Sequence, residues 1–247
     1  MTGRAFEIHH SHRDVTGGWL RPAVFGASDG LVSNFALIAG VAGGTAAAGN
    51  DSTAVVIAGL AGLVAGAGSM AAGEYVSVAS QSELALAEIE LERHELANRP
   101  EAEQQELAET FQRRGLSSEL AGEVARELSR DPSTALEVHV REELGVDVHD
   151  LPSPVTAAVS SFAAFSVGAL IPLLPYLLGA TSLAPALVVS LAALFGVGVL
   201  VSRLTVRSWF YSGTRQLVLG GVAAAVTFAT RFRNCSSAMT WRWPAWS

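Results

Sequence analysis

Two apolar stretches early in this chain, residues 22–48 and 54–81, are each long enough as helices to cross a bilayer, which takes ~20 residues for about 30 Å of hydrocarbon. The second one runs without a breaker into a segment dense with carboxylates: Glu74, Glu88, Glu92, Glu95, Glu103 and Glu106. Backbone facing lipid must satisfy its own hydrogen bonds, so a helix leaving the membrane as an acidic rod points to an all-α membrane protein with a polar insert. Three further spans are expected: from Pro152 and Pro154 to about Leu178, over 183–202, and over 214–231. The expected fold is therefore five transmembrane helices plus a cytoplasmic helical metal-binding domain inserted between spans 2 and 3. Its parts are an N-terminal segment 1–20, spans 1–2 within 21–81, the insert 82–150, spans 3–5 within 151–231, and a tail 232–247.

Composition agrees. Half of the 247 residues are hydrophobic, mean hydropathy is +0.36, and 16% are charged, against roughly 25% in soluble domains. The net charge of −7 sits mainly in the insert, which argues against a nucleic-acid partner. The single cysteine, Cys235, excludes an intramolecular disulfide framework. Residues 1–20 lack the apolar core of a signal peptide, so the first span targets the chain to the bilayer. His9, His10 and His12 read as part of a polar N-terminus. The short connections 49–52 and 179–182 contain no arginine, whereas the N-terminal segment, the insert and Arg203, Arg207 and Arg215 share the other side. Arginine bias then places the N-terminus and insert in the cytoplasm and the C-terminus outside.

Inside the membrane, Gly40/Gly44 and Gly62/Gly66 have the small-xxx-small spacing of close helix packing, between helices or between two copies. Pro172 and Pro175 in span three each free a carbonyl, either at a cavity wall or at a simple kink. Asp29 lies about seven residues into the first span, followed by Ser33 and Asn34, while Met70 and Glu74 share one row of span two. A carboxylate at such depth is by default a functional site. With no arginine inside these two spans, Asp29 and Glu74 need a proton or a cation.

Punctuation divides the insert into a long stalk and three short helices. Asn98-Arg99-Pro100 breaks the stalk, Gly115 ends the next helix, Ser117 or Ser118 and Asp131-Pro132 start the others, and Gly145 closes the last. Glu92/Glu95 and Glu103/Glu106 are i, i+3 pairs on either side of Pro100, and His139/Glu143 is an i, i+4 pair. Carboxylates with an imidazole suit Mn²⁺ and Fe²⁺ and are usable by Zn²⁺. Glutamate pairs from facing helices are how bundles build carboxylate metal sites; a merely solvated acidic face is the alternative.

Three segments carry a family resemblance. Phe25-Gly-Ala-Ser-Asp-Gly-Leu-Val-Ser-Asn-Phe-Ala-Leu-Ile-Ala-Gly-Val-Ala-Gly-Gly44, Gly68-Ser-Met-Ala-Ala-Gly-Glu-Tyr-Val-Ser-Val-Ala-Ser-Gln81 and Gly168-Ala-Leu-Ile-Pro-Leu-Leu-Pro175 resemble the vacuolar iron transporter family over roughly residues 20–228. The resemblance implies a homodimeric secondary transporter, not an enzyme, in a bacterial cell membrane, exporting Fe²⁺ or Mn²⁺ from the cytoplasm in exchange for protons. It matches Glu92, Glu95, Glu103, Glu106 and Glu143 to metal-holding glutamates, and Asp29 and Met70 to the transmembrane path. His139 stands where plant members have methionine, and the chain after Phe228 is not a typical ending for the family. The rival readings are a membrane-anchored metal store or ferroxidase, whose Glu-x-x-His signature does not occur in the insert, and an acidic interaction module.

Overall fold

The computed structural model describes residues 18–45, 52–203 and 207–222. Its elements are α1 (Leu20–Thr45), α2 (Ser52–Asn98), α3 (Pro100–Arg113), α4 (Ser118–Leu128), α5 (Pro132–His139) with a π-helical turn Val140–Leu144, α6 (Pro154–Leu177) and α7 (Leu183–Ser202). Residues 209–222 are also helical, and no strand occurs among the described residues. Four helices, α1, α2, α6 and α7, are long and apolar enough to cross a membrane. The expected fifth span is helical as far as residue 222. Its remainder, the tail 232–247, the N-terminal histidines and most of the 49–52 turn lie outside the described residues.

Helix α2 governs the architecture. At 1.5 Å per residue its 47 residues extend about 70 Å, more than twice the hydrocarbon thickness, so its second half stands clear of the membrane. Leu, Ala and Glu dominate that half and all favour helix. It ends where Pro100 forces the preceding residue out of the helical region, with Arg99 at φ −135°, ψ 46°. The short helices are then set by local caps. The Ser117 hydroxyl accepts from the Leu120 N–H at 3.3 Å, and the Asp131 carboxylate accepts from the Thr134 N–H at 2.9 Å. Gly115 and Gly145 close their helices at φ +104° and +67°, conformations that favour glycine. A Ser82 hydroxyl donating to the Pro152 carbonyl at 2.9 Å ties the stalk to the entry of α6.

In the membrane region α6 packs against both α1 and α2. The surface is apolar, with Ile57, Val64, Val167 and Val188 each more than half exposed, as lipid-facing side chains should be. Where the helices approach most closely, the contact is made by glycine. A Cβ on Gly30 would sit 2.3 Å from the Phe165 carbonyl oxygen, and one on Gly168 2.3 Å from that of Ala27. Both neighbours are backbone, so only glycine permits this approach. Of the glycines marked by spacing, Gly62 meets Leu37 and Asn34 and Gly66 meets the Phe165 ring, but Gly40 faces open space. On α1 the approach of backbone to backbone falls instead on Gly26 and Gly30, which have the same spacing. Gly30→Val is expected to cost about 3 kcal/mol through overpacking, read as a fall in apparent Tm in detergent. Gly40→Val should change the fold's own stability by less than about 0.5 kcal/mol.

Candidate metal centre

Three elements converge above the membrane. Glu92 projects from the stalk, Glu103 from the first turn of α3, and His139 from the end of α5; all three are buried. The Pro100 break turns α3 back so that the two glutamates face one another, and packing of Ile89 against Leu136 and Val140 brings α5 alongside the stalk. His139 Nδ1 lies 3.1 Å from Glu92 Oε1, 3.2 Å from Glu143 Oε1 and 3.9 Å from Glu103 Oε2. Glu143 reaches the ring from the π-helical turn, a widened turn of the kind found at functional sites.

One donor atom from each of Glu92, Glu103 and His139 fits within 4.8 Å of the others. Ligands bound to a common divalent ion at about 2.0–2.4 Å are at most about 4.8 Å apart, so the cluster is already of coordinating size. Its hydrogen bonding is incomplete. Nδ1 bonds Glu143, and Glu92 Oε1, although close to the same nitrogen, has no hydrogen-bond partner among the described residues; nor has His139 Nε2. A buried carboxylate oxygen without a donor is costly, and a cation would satisfy it.

Charge is arranged in the same sense. Four of the insert's seven arginines pair elsewhere, Arg93 with Glu90, Arg114 with Glu142, Arg130 with Glu127 and Arg141 with Asp147. No arginine is paired with Glu92, Glu95, Glu103, Glu106 or Glu143 among the described residues. Burial first, then the charges of Glu143, Glu103, Glu95 and Glu106, push the Glu92 carboxyl up to about 7. Burial, then Glu106 and Glu95, raise Glu103 as well, against a lowering contribution from His139. Glu95 and Glu106 thus act on the centre by field; Glu95 is half-buried and Glu106 exposed. All six residues singled out by spacing therefore belong to one neighbourhood, with an inner set of Glu92, Glu103, His139 and Glu143.

A second candidate site lies among the apolar helices. A cavity of about 410 Å³ between α1, α2 and α6 is lined by Asp29, Ser33, Asn34, Ser69 and Met70, with the Phe165 ring as its apolar wall. Asp29 has no ion-pair partner among the described residues. Glu74 does not line this cavity, although it shares an i, i+4 row with Met70. Such a row drifts by about 40° per step, so Glu74 lies roughly 120° around α2 from Gly62. Ser69 is an addition that spacing alone did not single out.

Residues 20–230 match the sequence profile of the VIT family. The chain is 34% identical over 223 residues to vacuolar iron transporter 2 of Oryza sativa subsp. japonica, covering 89% of each protein. It is 32% identical over 224 residues to vacuolar iron transporter 1 of Arabidopsis thaliana, covering 89% of this chain and 88% of that protein. A vacuolar iron transporter of Acanthamoeba castellanii is 42% identical over 159 residues, a match spanning 64% of this chain and 56% of the amoeba protein.

Proposed function

Because this chain belongs to the VIT family, we propose that it is a proton-coupled transporter that carries Fe²⁺, and Mn²⁺ by the same chemistry, out of the cytoplasm. The observation that carries this reading is the continuity of α2. One helix bears Glu92 at its far end and the Met70 wall of the cavity about 33 Å below, at 1.5 Å per residue. Metal is captured by Glu92, Glu103, His139 and Glu143, in the field of Glu95 and Glu106, beside the mouth of the membrane path. It then passes to the cavity, where Asp29 supplies charge and Met70 a thioether. A soft donor beside oxygens disfavours Mg²⁺ and Ca²⁺, which take oxygen only. Proton entry from the opposite side neutralises Asp29 and releases the ion.

The insert faces the cytoplasm in this scheme, following the arginine bias. Ser33 and Ser69 are exposed on the flanks of α1 and α2, and a second copy of the chain packed there would shield them from lipid as a homodimer. A membrane-anchored metal store would leave the intramembrane carboxylate and its cavity without a purpose.

The test is metal uptake into proteoliposomes at low and high external Fe²⁺. Replacing Glu92, Glu103, His139 and Glu143 together should slow uptake about tenfold or more at low Fe²⁺ and much less at high Fe²⁺, where the cavity loads directly. Equal rates for parent and variant at both concentrations would remove the insert from the transport cycle.

A further inference from the structure

We propose that the side-chain carbonyl oxygen of Asn34 is a ligand for the ion inside the membrane cavity. The inference deepens the transport reading above and rests on it. Asn34 is 2% exposed and sits in the middle of α1. Its amide nitrogen donates to the Ala169 carbonyl at 2.6 Å. A carbonyl only accepts, so the half of the amide facing Ala169 must be the NH₂, and the orientation follows from chemistry alone. Oδ1 is thereby held on the opposite side, buried and without a hydrogen-bond partner among the described residues. That atom belongs to a side chain lining the cavity. Gly62 keeps the space before it open, since a Cβ at that position would lie 2.8 Å from Oδ1. The accepting carbonyl lies beside that of Gly168, which Pro172 deprives of its helical donor, so α6 is polar where Asn34 needs an acceptor.

An acceptor buried without a donor is expensive, and the fold holds this one in place rather than turning it to a neighbour. A divalent cation is the partner that fits. Among the described residues that line the cavity only Asp29 is ionisable. Asp29 would therefore supply the one formal charge, beside neutral oxygens and a thioether, which leaves the ion incompletely neutralised and free to move on. The amide does not titrate, so at Asn34 the ion competes with no proton and exchange is left to Asp29.

The full-length protein in proteoliposomes tests this, with Fe²⁺ under reducing conditions as the probe. Asn34→Leu removes both donor and acceptor; Asn34→Asp keeps oxygens but loses the bond to Ala169. Gly62→Ala keeps that bond and fills the space before Oδ1. The expected result is a KM for Fe²⁺ raised about tenfold or more in Asn34→Leu and Gly62→Ala, and within about threefold of the parent in Asn34→Asp. If Asn34→Leu does not fold, the contrast between Gly62→Ala and Asn34→Asp decides alone. Equal losses in Asn34→Leu and Asn34→Asp with a parental KM in Gly62→Ala would make the side chain a strut between α1 and α6, and a parental KM in Asn34→Leu would overturn the proposal outright. Asp29→Asn in parallel separates the two readings. If it is inactive while Asn34→Leu is parental, only the ligand assignment falls; if Asp29→Asn also transports at the parental rate, the cavity is not the path and both fall.

Discussion

Asp29→Asn is expected to lower Fe²⁺ transport by about 100-fold or more while leaving metal binding by the insert unchanged. Asparagine keeps the shape and removes the charge, and the described residues lining the cavity offer no second anion. Interactions of a desolvated charge with its partner are worth about 3 kcal/mol or more when one side is removed, which is two orders of magnitude in rate or occupancy. The insert's centre lies on a different segment, some tens of ångströms along α2, so calorimetry with Mn²⁺ should give the parental affinity. Loss of binding at both places would mean that the substitution unfolds the chain.

The second large effect concerns Glu92, and its sign opposes intuition. The metal-free folded state raises this carboxyl from the ordinary 4.5 to about 7, so between these values the folded chain binds more protons than the unfolded one. Its contribution to stability is then greatest below pH 4.5 and is lost as pH rises through 7. At pH 8 the charged Glu92 is a burden, about 1–2 kcal/mol once solvent screening is allowed for. Glu92→Gln should therefore raise the apparent Tm of the metal-free protein at pH 8 by roughly 2–6 °C and leave it nearly unchanged at pH 4.5. Added Mn²⁺ should stabilise the parent at pH 8 and the variant far less. The same linkage makes metal binding by the parent weaken as pH falls from about 8 to 6, because metal must displace a proton. A metal-free Glu92→Gln protein less stable than the parent at pH 8 would mean that this carboxylate is a structural partner and not a strained ligand.

Much of the insert was legible because its determinants are local. Pro100, Ser117, Asp131 and Gly145 act within a turn of where they stand, and i, i+3 or i, i+4 spacing puts Glu92/Glu95, Glu103/Glu106 and His139/Glu143 on single faces. The ranking within the cluster was not legible. Glu92 and Glu103 are buried while Glu106 is exposed, and that depends on how α3 folds back after the break. The π-helical turn that carries Glu143 has no signature in the sequence. In the membrane, Gly26/Gly30 and Gly40/Gly44 have identical spacing, and which pair meets α6 is decided by where Phe165 and Gly168 arrive from the far end of the chain. Asn34 was visible as a polar residue near Asp29, but its unpartnered oxygen exists only because Ala169 takes the other half of the amide.

The central claim is exchange of metal against protons through one path. It is tested most directly by recording luminal metal and luminal pH together in proteoliposomes that hold the purified protein and an acidic interior. The account predicts Fe²⁺ entry coupled to alkalinisation of the lumen, both absent in Asp29→Asn. Parental Fe²⁺ entry with no change in luminal pH, or a proton flux indifferent to added metal, would contradict it.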